Sequence, residues 1–167
     1  MGIRANGEAL LVVGGPAWNA TFREFQERLP FHFEEHPLGE DDPLVLDAEG
    51  ERHIGPTWGP EATVRSDVSV VVRLTLDDGR LVYLLGGCLT YGVLGAAKLL
   101  LDERTAPANI DFIENYAQGA DFIVACRSHR LGTFLEAPYL PANPPLAVLV
   151  RSDASTDFRP ALLDRTM

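Results

Sequence analysis

Lysine is almost missing from this chain: Lys98 is the only one, and all 14 basic residues stand against 24 acidic ones. The formal net charge is −10, and the arginines (among them Arg23, Arg28, Arg52, Arg65, Arg73 and Arg80) are scattered rather than clustered. Nucleic acid is therefore not expected as a direct partner, because phosphate binding needs a local excess of positive charge. No apolar run approaches the roughly 20 residues that a membrane-spanning helix needs, so no membrane partner is expected either. Met1 to Glu8 has no apolar core behind a basic start, and cytoplasmic residence is the expectation. Cysteine is scarce. Cys88 and Cys126 both lie in apolar segments, where a reduced cysteine acts as a small buried hydrophobe. Scarce lysine beside abundant alanine and arginine reads as codon bias, the skew expected of a G+C-rich bacterium, and not as function.

What is present suits one globular domain. The 167 residues are 46% hydrophobic and 23% charged, enough for one sizeable core and too few for two ordinary ones. Ala9 to Val13 is a fully apolar run ended by Gly14-Gly15-Pro16 and reads as a central strand. Asn19 or Thr21 caps a helix through about Leu29, with Phe22, Phe25 and Leu29 on one face, and Phe31 to Glu34 follows as a short strand parallel to the first. Residues 34–62 read as an irregular insertion outside the core. In it Leu44 to Leu46 and Arg52 to Ile54 pair as a small hairpin across Asp47 to Gly50. Val68 to Leu76 is the strongest β signal; it turns at Asp77-Asp78-Gly79 and returns as Arg80 to Leu85. Val93 to Leu101 reads as an apolar helix and Ile110 to Tyr116 as a short one. Phe122 to Cys126 and Leu146 to Val150 read as two more strands. The domain is set at residues 1–152, with 153–167 a polar tail that frays.

Two segments share one plan, an apolar strand, a Gly-Gly pair and a helix. One is Leu11-Val12-Val13-Gly14-Gly15-Pro16-Ala17-Trp18-Asn19, the other Leu84-Leu85-Gly86-Gly87-Cys88-Leu89-Thr90-Tyr91-Gly92. Glycine admits a close backbone approach, and the helix that follows offers unpaired N–H groups and the positive end of its dipole. In an open sheet such loops lie at the carboxyl ends of strands, where ligands bind, and neighbouring strands would bring both loops to one crevice. The candidate ligand-binding residues are Gly14, Gly15, Pro16, Trp18, Asn19, Gly86, Gly87, Cys88, Thr90, Tyr91 and Gly92, with Trp18 available to stack on a ring. The competing reading is that the glycines serve tight turns alone. Neither loop matches the full dinucleotide fingerprint or a Walker loop, so no cofactor is named.

Gly14-Gly15-Pro16 with Asn19, then Val71-Val72-Arg73 leading to Gly86-Gly87-Cys88, Tyr91-Gly92 and Ala96-Ala97, resembles an uncharacterised family of prokaryotic Rossmann-like proteins. A similar Gly-Gly-Pro…Asn strand and later glycine-loop helix occur in archaeal surface-layer proteins. The second loop is also similar to those of nucleotide-sensing Rossmann-like domains of the lysine-decarboxylase-like group, whose acidic catalytic signature is missing here. The resemblance implies an α/β fold: a Rossmann-like three-layer sandwich whose mixed sheet contains an antiparallel hairpin. It carries no established activity.

Gly86-Gly87-Cys88-Leu89-Thr90 also sits where a nucleophile elbow would, and looks like the cysteine elbow of class I glutamine amidotransferases. Thr90 replaces the second flanking glycine, and His129, in what reads as a loop, is the only histidine that follows. A catalytic thiol needs a positioned base, so Cys88 stands as a candidate nucleophile beside the reading of a buried or ligand-lining cysteine. His32, His36, Glu34, Glu35 and His53 invite a metal reading, which their spacing does not favour. Arg73, inside so apolar a strand, must reach solvent, pair with a carboxylate or meet an anionic ligand.

Three functions stay open: a regulatory domain that binds or senses a nucleotide-like or other small anionic ligand, a Cys88-dependent hydrolase or amidotransferase-like enzyme, and an interaction module whose glycine turns bind nothing. The apolar hairpin and the loop from Ala137 to Pro145 leave room for a homodimer or another protein partner.

Overall fold

In the computed structural model, residues 9–34, 43–152 and 157–164 are described. The chain runs β1 (Ala9–Val13), α1 (Ala20–Gln26), β2 (Phe31–Phe33), β3 (Leu44–Asp47), β4 (Glu51–Ile54), β5 (Thr57–Trp58), β6 (Val64–Thr75) and β7 (Leu81–Gly87). It continues with α2 (Thr90–Leu101), α3 (Ala106–Ala117), β8 (Asp121–Leu131), β9 (Phe134–Leu135), β10 (Ala147–Arg151) and β11 (Arg159–Leu163). The fold is mixed α/β. An 8-stranded mixed sheet has the order β1-β7-β6-β8-β10-β11, with β5 on β6 and β9 on β8, and a separate antiparallel sheet has the order β2-β3-β4.

Alternation sorts the long strands into two buried faces. Val68, Val70, Val72, Val82, Leu84, Ile123 and Leu149 pack with Phe22 of α1 and with Phe31, Phe33, Leu44, Leu46 and Ile54 of the small sheet. Val71, Leu85, Phe122, Val124, Cys126 and Val148 pack with Ala96 and Leu99 of α2 and with Ile113 and Ala117 of α3. One face is thus covered by helices and the other mostly by a second sheet. Among the described strands β1 and β7 form the parallel pair, and every other pairing is antiparallel.

The hairpin at Asp77-Asp78-Gly79 forms as its sequence dictates. Gly79 takes φ +82°, and the Asp78 carboxylate accepts from Arg80 N and Arg80 Nε. Other expectations are corrected. β1 is an edge strand, not a central one, with Leu10, Leu11 and Val13 half exposed. β2 pairs antiparallel with β3 rather than running parallel beside β1. The 44–54 hairpin forms, but Leu44, Val45 and Leu46 are fully buried, so it is a core element. Part of the expected tail is a strand, because Arg159–Leu163 pairs with β10. β8 runs on through Arg127 to Arg130, so His129 lies on a strand rather than in a loop. No described helix is long and apolar enough to cross a membrane.

Candidate functional site

Because β1 and β7 are parallel neighbours in the register Leu11↔Tyr83 and Val13↔Leu85, both glycine loops leave the sheet at the same end. Gly14 N donates to Leu85 O at 3.0 Å and carries the ladder one step past β1. Gly14 itself takes φ +123°, a conformation that favours glycine. The loops nearly touch: a Cβ on Gly15 would lie 3.8 Å from Gly87 O. Between them is a crevice of about 420 Å³ lined by Gly14 to Trp18 on one side and Gly87 to Thr90 on the other, with Phe33 and Val93. Trp18, 95% exposed, stands on its rim.

The polar residues of the first loop brace it. Asn19 Oδ1 accepts from Phe22 N at 3.1 Å as the N-cap of α1, and Asn19 Nδ2 donates to Val13 O at 3.2 Å. Arg23 donates to Pro16 O at 2.8 Å. Asn19 is therefore outside the crevice lining, and so are Gly86, Tyr91 and Gly92. Tyr91 instead lies under the Arg130 guanidinium, 5.2 Å from the ring centroid.

The second loop is built around a residue that sequence reasoning passed over. Asp67 on β6 is fully buried, and its carboxylate accepts from Val68 N at 2.7 Å, from Leu89 N at 3.0 Å and from Gly92 N. Leu89, the N-cap position of α2, has no side-chain cap of its own; a carboxylate from the neighbouring strand supplies it. Burial raises the Asp67 carboxyl from 3.8 to about 6, against the lowering effect of these N–H bonds and of Arg127. The anion expected at this helix terminus is thus supplied by the protein itself. No described hydrogen bond within the protein takes up the N–H of Thr90 or Tyr91 at the mouth of the loop.

Packing requires the glycines here. A Cβ on Gly86 would sit 2.7 Å from the Phe22 ring, one on Gly87 would overlap the backbone of Gly92 and Val93, and one on Gly92 would overlap Val68 O. A Cβ on Gly95 would meet Ser128 Oγ. Beneath the helix Ser69 Oγ donates to Gly92 O at 2.7 Å and lies 2.6 Å from Ser128 Oγ. The signal was in the strand: Asp67, Ser69, Val71 and Arg73 share one face, and two small polar side chains in such a row mark where a helix comes close.

Cys88 is 8% exposed, and its thiol donates to Ile54 O at 3.6 Å. The His53 ring lies between Glu34 (3.5 Å) and Glu51 (2.8 Å), and His129 pairs across the sheet with Ser66. Burial pushes the Cys126 thiol up to about 12, which makes it inert at neutral pH. His32 lies opposite Val45 and is exposed, and no group of three or more His, Cys, Asp or Glu side chains among the described residues is placed to hold a metal ion. His36, Glu35 and the acidic run through Asp42 lie outside the described residues. Compared with known proteins, the chain matches no family model, and neither a curated protein nor a solved structure matches it significantly.

Proposed function

We propose that this chain is a small-molecule binding or sensing domain, regulatory in role, whose ligand lies between the Gly14–Trp18 and Gly87–Thr90 loops. The observation that carries the reading is the convergence of two separate strand–glycine–helix units on one crevice of about 420 Å³, a volume within the range of ordinary ligand sites. The β1–β7 pair with its two loops is, on this reading, the Rossmann-like part of the fold, set into an otherwise antiparallel sheet.

The ligand fits as a nucleotide-like molecule read mainly through its ring. Trp18 offers an exposed face for stacking. The Thr90 N–H and hydroxyl offer donors to a polar ring edge. Asp67 disfavours a phosphate seated directly on the α2 terminus, since two negative charges would share one set of donors. An anionic group is better placed toward the first loop.

The test is a thermal-shift screen of nucleosides, nucleotides, nicotinamide dinucleotides, cyclic messengers and sugar phosphates against the wild-type chain and Trp18→Ala. A ligand at 100 times its dissociation constant adds about 2.7 kcal/mol, a shift of roughly 5–10 °C. Trp18 touches little, so Trp18→Ala is expected to melt with the wild type, within about 0.5 kcal/mol. Its affinity is expected to fall about tenfold or more, as loss of one stacking partner implies. A panel without any shift, or a shift that Trp18→Ala leaves intact, contradicts the reading.

A further inference from the structure

We propose that a second groove, on the helix face of the main sheet, binds a singly charged amphiphile, with a carboxylate head on Arg73 and an apolar tail along Leu11, Leu101 and Ile110. The register Leu11↔Tyr83↔Arg73↔Phe122 sets four side chains in one row across β1, β7, β6 and β8. Alternation turns this row toward the side of α2 and α3. Neither helix covers it completely. The row floors a groove of about 580 Å³ whose walls include Leu100 and Leu101 of α2 and Ile110, Ile113 and Glu114 of α3. Leu11 is 53% exposed and Leu101 68% exposed, so an apolar strip stands open along the β1 edge.

Arg73 makes this groove more than an uncovered patch. One guanidinium nitrogen donates to Gly119 O at 2.8 Å and to Ala120 O at 3.2 Å, while its buried Nε has no partner among the described residues. No carboxylate lies within ion-pair distance of it among the described residues. The nearby acid Asp121 is committed to Arg151 at 2.7 Å and to Thr75 at 2.8 Å. A guanidinium inside an apolar strand normally has a counter-ion. Here its complement is a ligand that brings one, and the apolar walls require the rest of that ligand to be hydrocarbon. Tyr83, next to Arg73 in the row, supplies a phenol as a second donor. Glu114 sets the charge of the head group: one of its oxygens accepts from Gly119 N at 2.7 Å, and its charge on the same wall repels a doubly ionised phosphate. A single carboxylate meets Arg73 with the least opposition. This groove is separate from the glycine-loop crevice, whose lining shares no residue with it.

Isothermal titration of the whole chain with decanoate below its micelle concentration tests the proposal, with decanol, decylamine and decyl phosphate as comparators. Saturable binding of decanoate is expected, with each comparator at least tenfold weaker. Arg73→Gln is expected to weaken decanoate at least tenfold. Leu101→Glu, a surface change that spares the fold, is expected to do the same while melting like the wild type. Equal affinity for decanol, undiminished binding by a folded Arg73→Gln or Leu101→Glu, or no saturable binding at all overturns the proposal. So does a wild-type chain that elutes as a dimer and is made monomeric by Leu101→Glu, since the strip then belongs to a second copy.

Discussion

Replacing Asp67 with alanine is expected to lower the stability of the domain by about 3 kcal/mol near neutral pH, and by more in acid. The side chain has no exposure and serves as the cap of α2 from another strand. Its removal leaves the half-buried N–H of Leu89 without an acceptor and the buried N–H of Gly92 with only the Leu89 carbonyl at 3.1 Å, at about 1–3 kcal/mol for each group that loses the carboxylate. In a domain of this length that is a fall in Tm of about 6–12 °C. The pH dependence is distinctive. Burial raises the folded-state carboxyl from 3.8 to about 6, so the folded protein holds this proton more tightly than the unfolded chain. The pH-dependent part of the contribution of Asp67, added to its capping bonds, is fully present below the unfolded value and is lost as pH rises through the folded one, a span of about 3 kcal/mol. Urea unfolding of the wild type and of Asp67→Asn at several pH values reads the effect as a difference, which cancels the titration of the other acids. The wild type is expected to gain on the variant as pH falls from about 7 to about 4. A difference that stays flat, or that runs the other way, places the carboxyl outside the buried cap.

Gly92→Ala is expected to be at least as damaging. The added Cβ would overlap Val68 O and come within 2.9 Å of Asp67 Oδ2 and 2.8 Å of Gly87 Cα, and two of these three obstacles are backbone. The helix must lift off β6, which breaks the Ser69–Gly92 hydrogen bond along with the Asp67 cap. Overpacking of this kind costs about 1–3 kcal/mol before the broken bonds are counted, so a loss of about 4 kcal/mol or outright failure to fold is the expected result. Gly55→Ala is the control. No heavy atom of the described residues would lie within 4 Å of its added Cβ, and the change should be near neutral. Circular dichroism and urea titration of both variants decide the matter: a Gly92→Ala as stable as Gly55→Ala would contradict the close approach of α2 to the sheet. Gly87→Val, for the same steric reason, is a folding variant and cannot serve as a test of ligand binding.

Strand-and-turn chemistry was legible from residues alone where it is local. Asp77-Asp78-Gly79 specifies its hairpin, Asn19 or Thr21 the cap that Asn19 supplies, and Leu44–Leu46 with Arg52–Ile54 their pairing, because each depends on neighbours in sequence. The shared crevice was legible conditionally, since it needed β1 and β7 to be adjacent. What was hidden depends on contacts between distant segments. The apolar run Ala9–Val13 looks central by composition, yet it lies at an edge with three side chains half exposed; composition alone cannot distinguish a strand covered by its own fold from one that offers a surface. The role of Asp67 was hidden because the cap and the helix it caps lie 22 residues apart, Asp67 to Leu89. The glycines of the second loop satisfy two demands at once, and the sequence pattern does not separate them. Gly86, Gly87 and Gly92 are required by packing, and the crevice beside them follows from the same close approach.

The measurement that bears most directly on the proposed function is an amide NMR titration with the ligand that gives the largest thermal shift. Saturable shifts are expected in the Trp18 indole N–H and in the amides of Gly14, Gly15 and Thr90, with Arg73, Leu101 and Ile110 unmoved. Shifts centred on the second groove, or none that saturate at the two glycine loops, would contradict the assignment of that crevice as the ligand site.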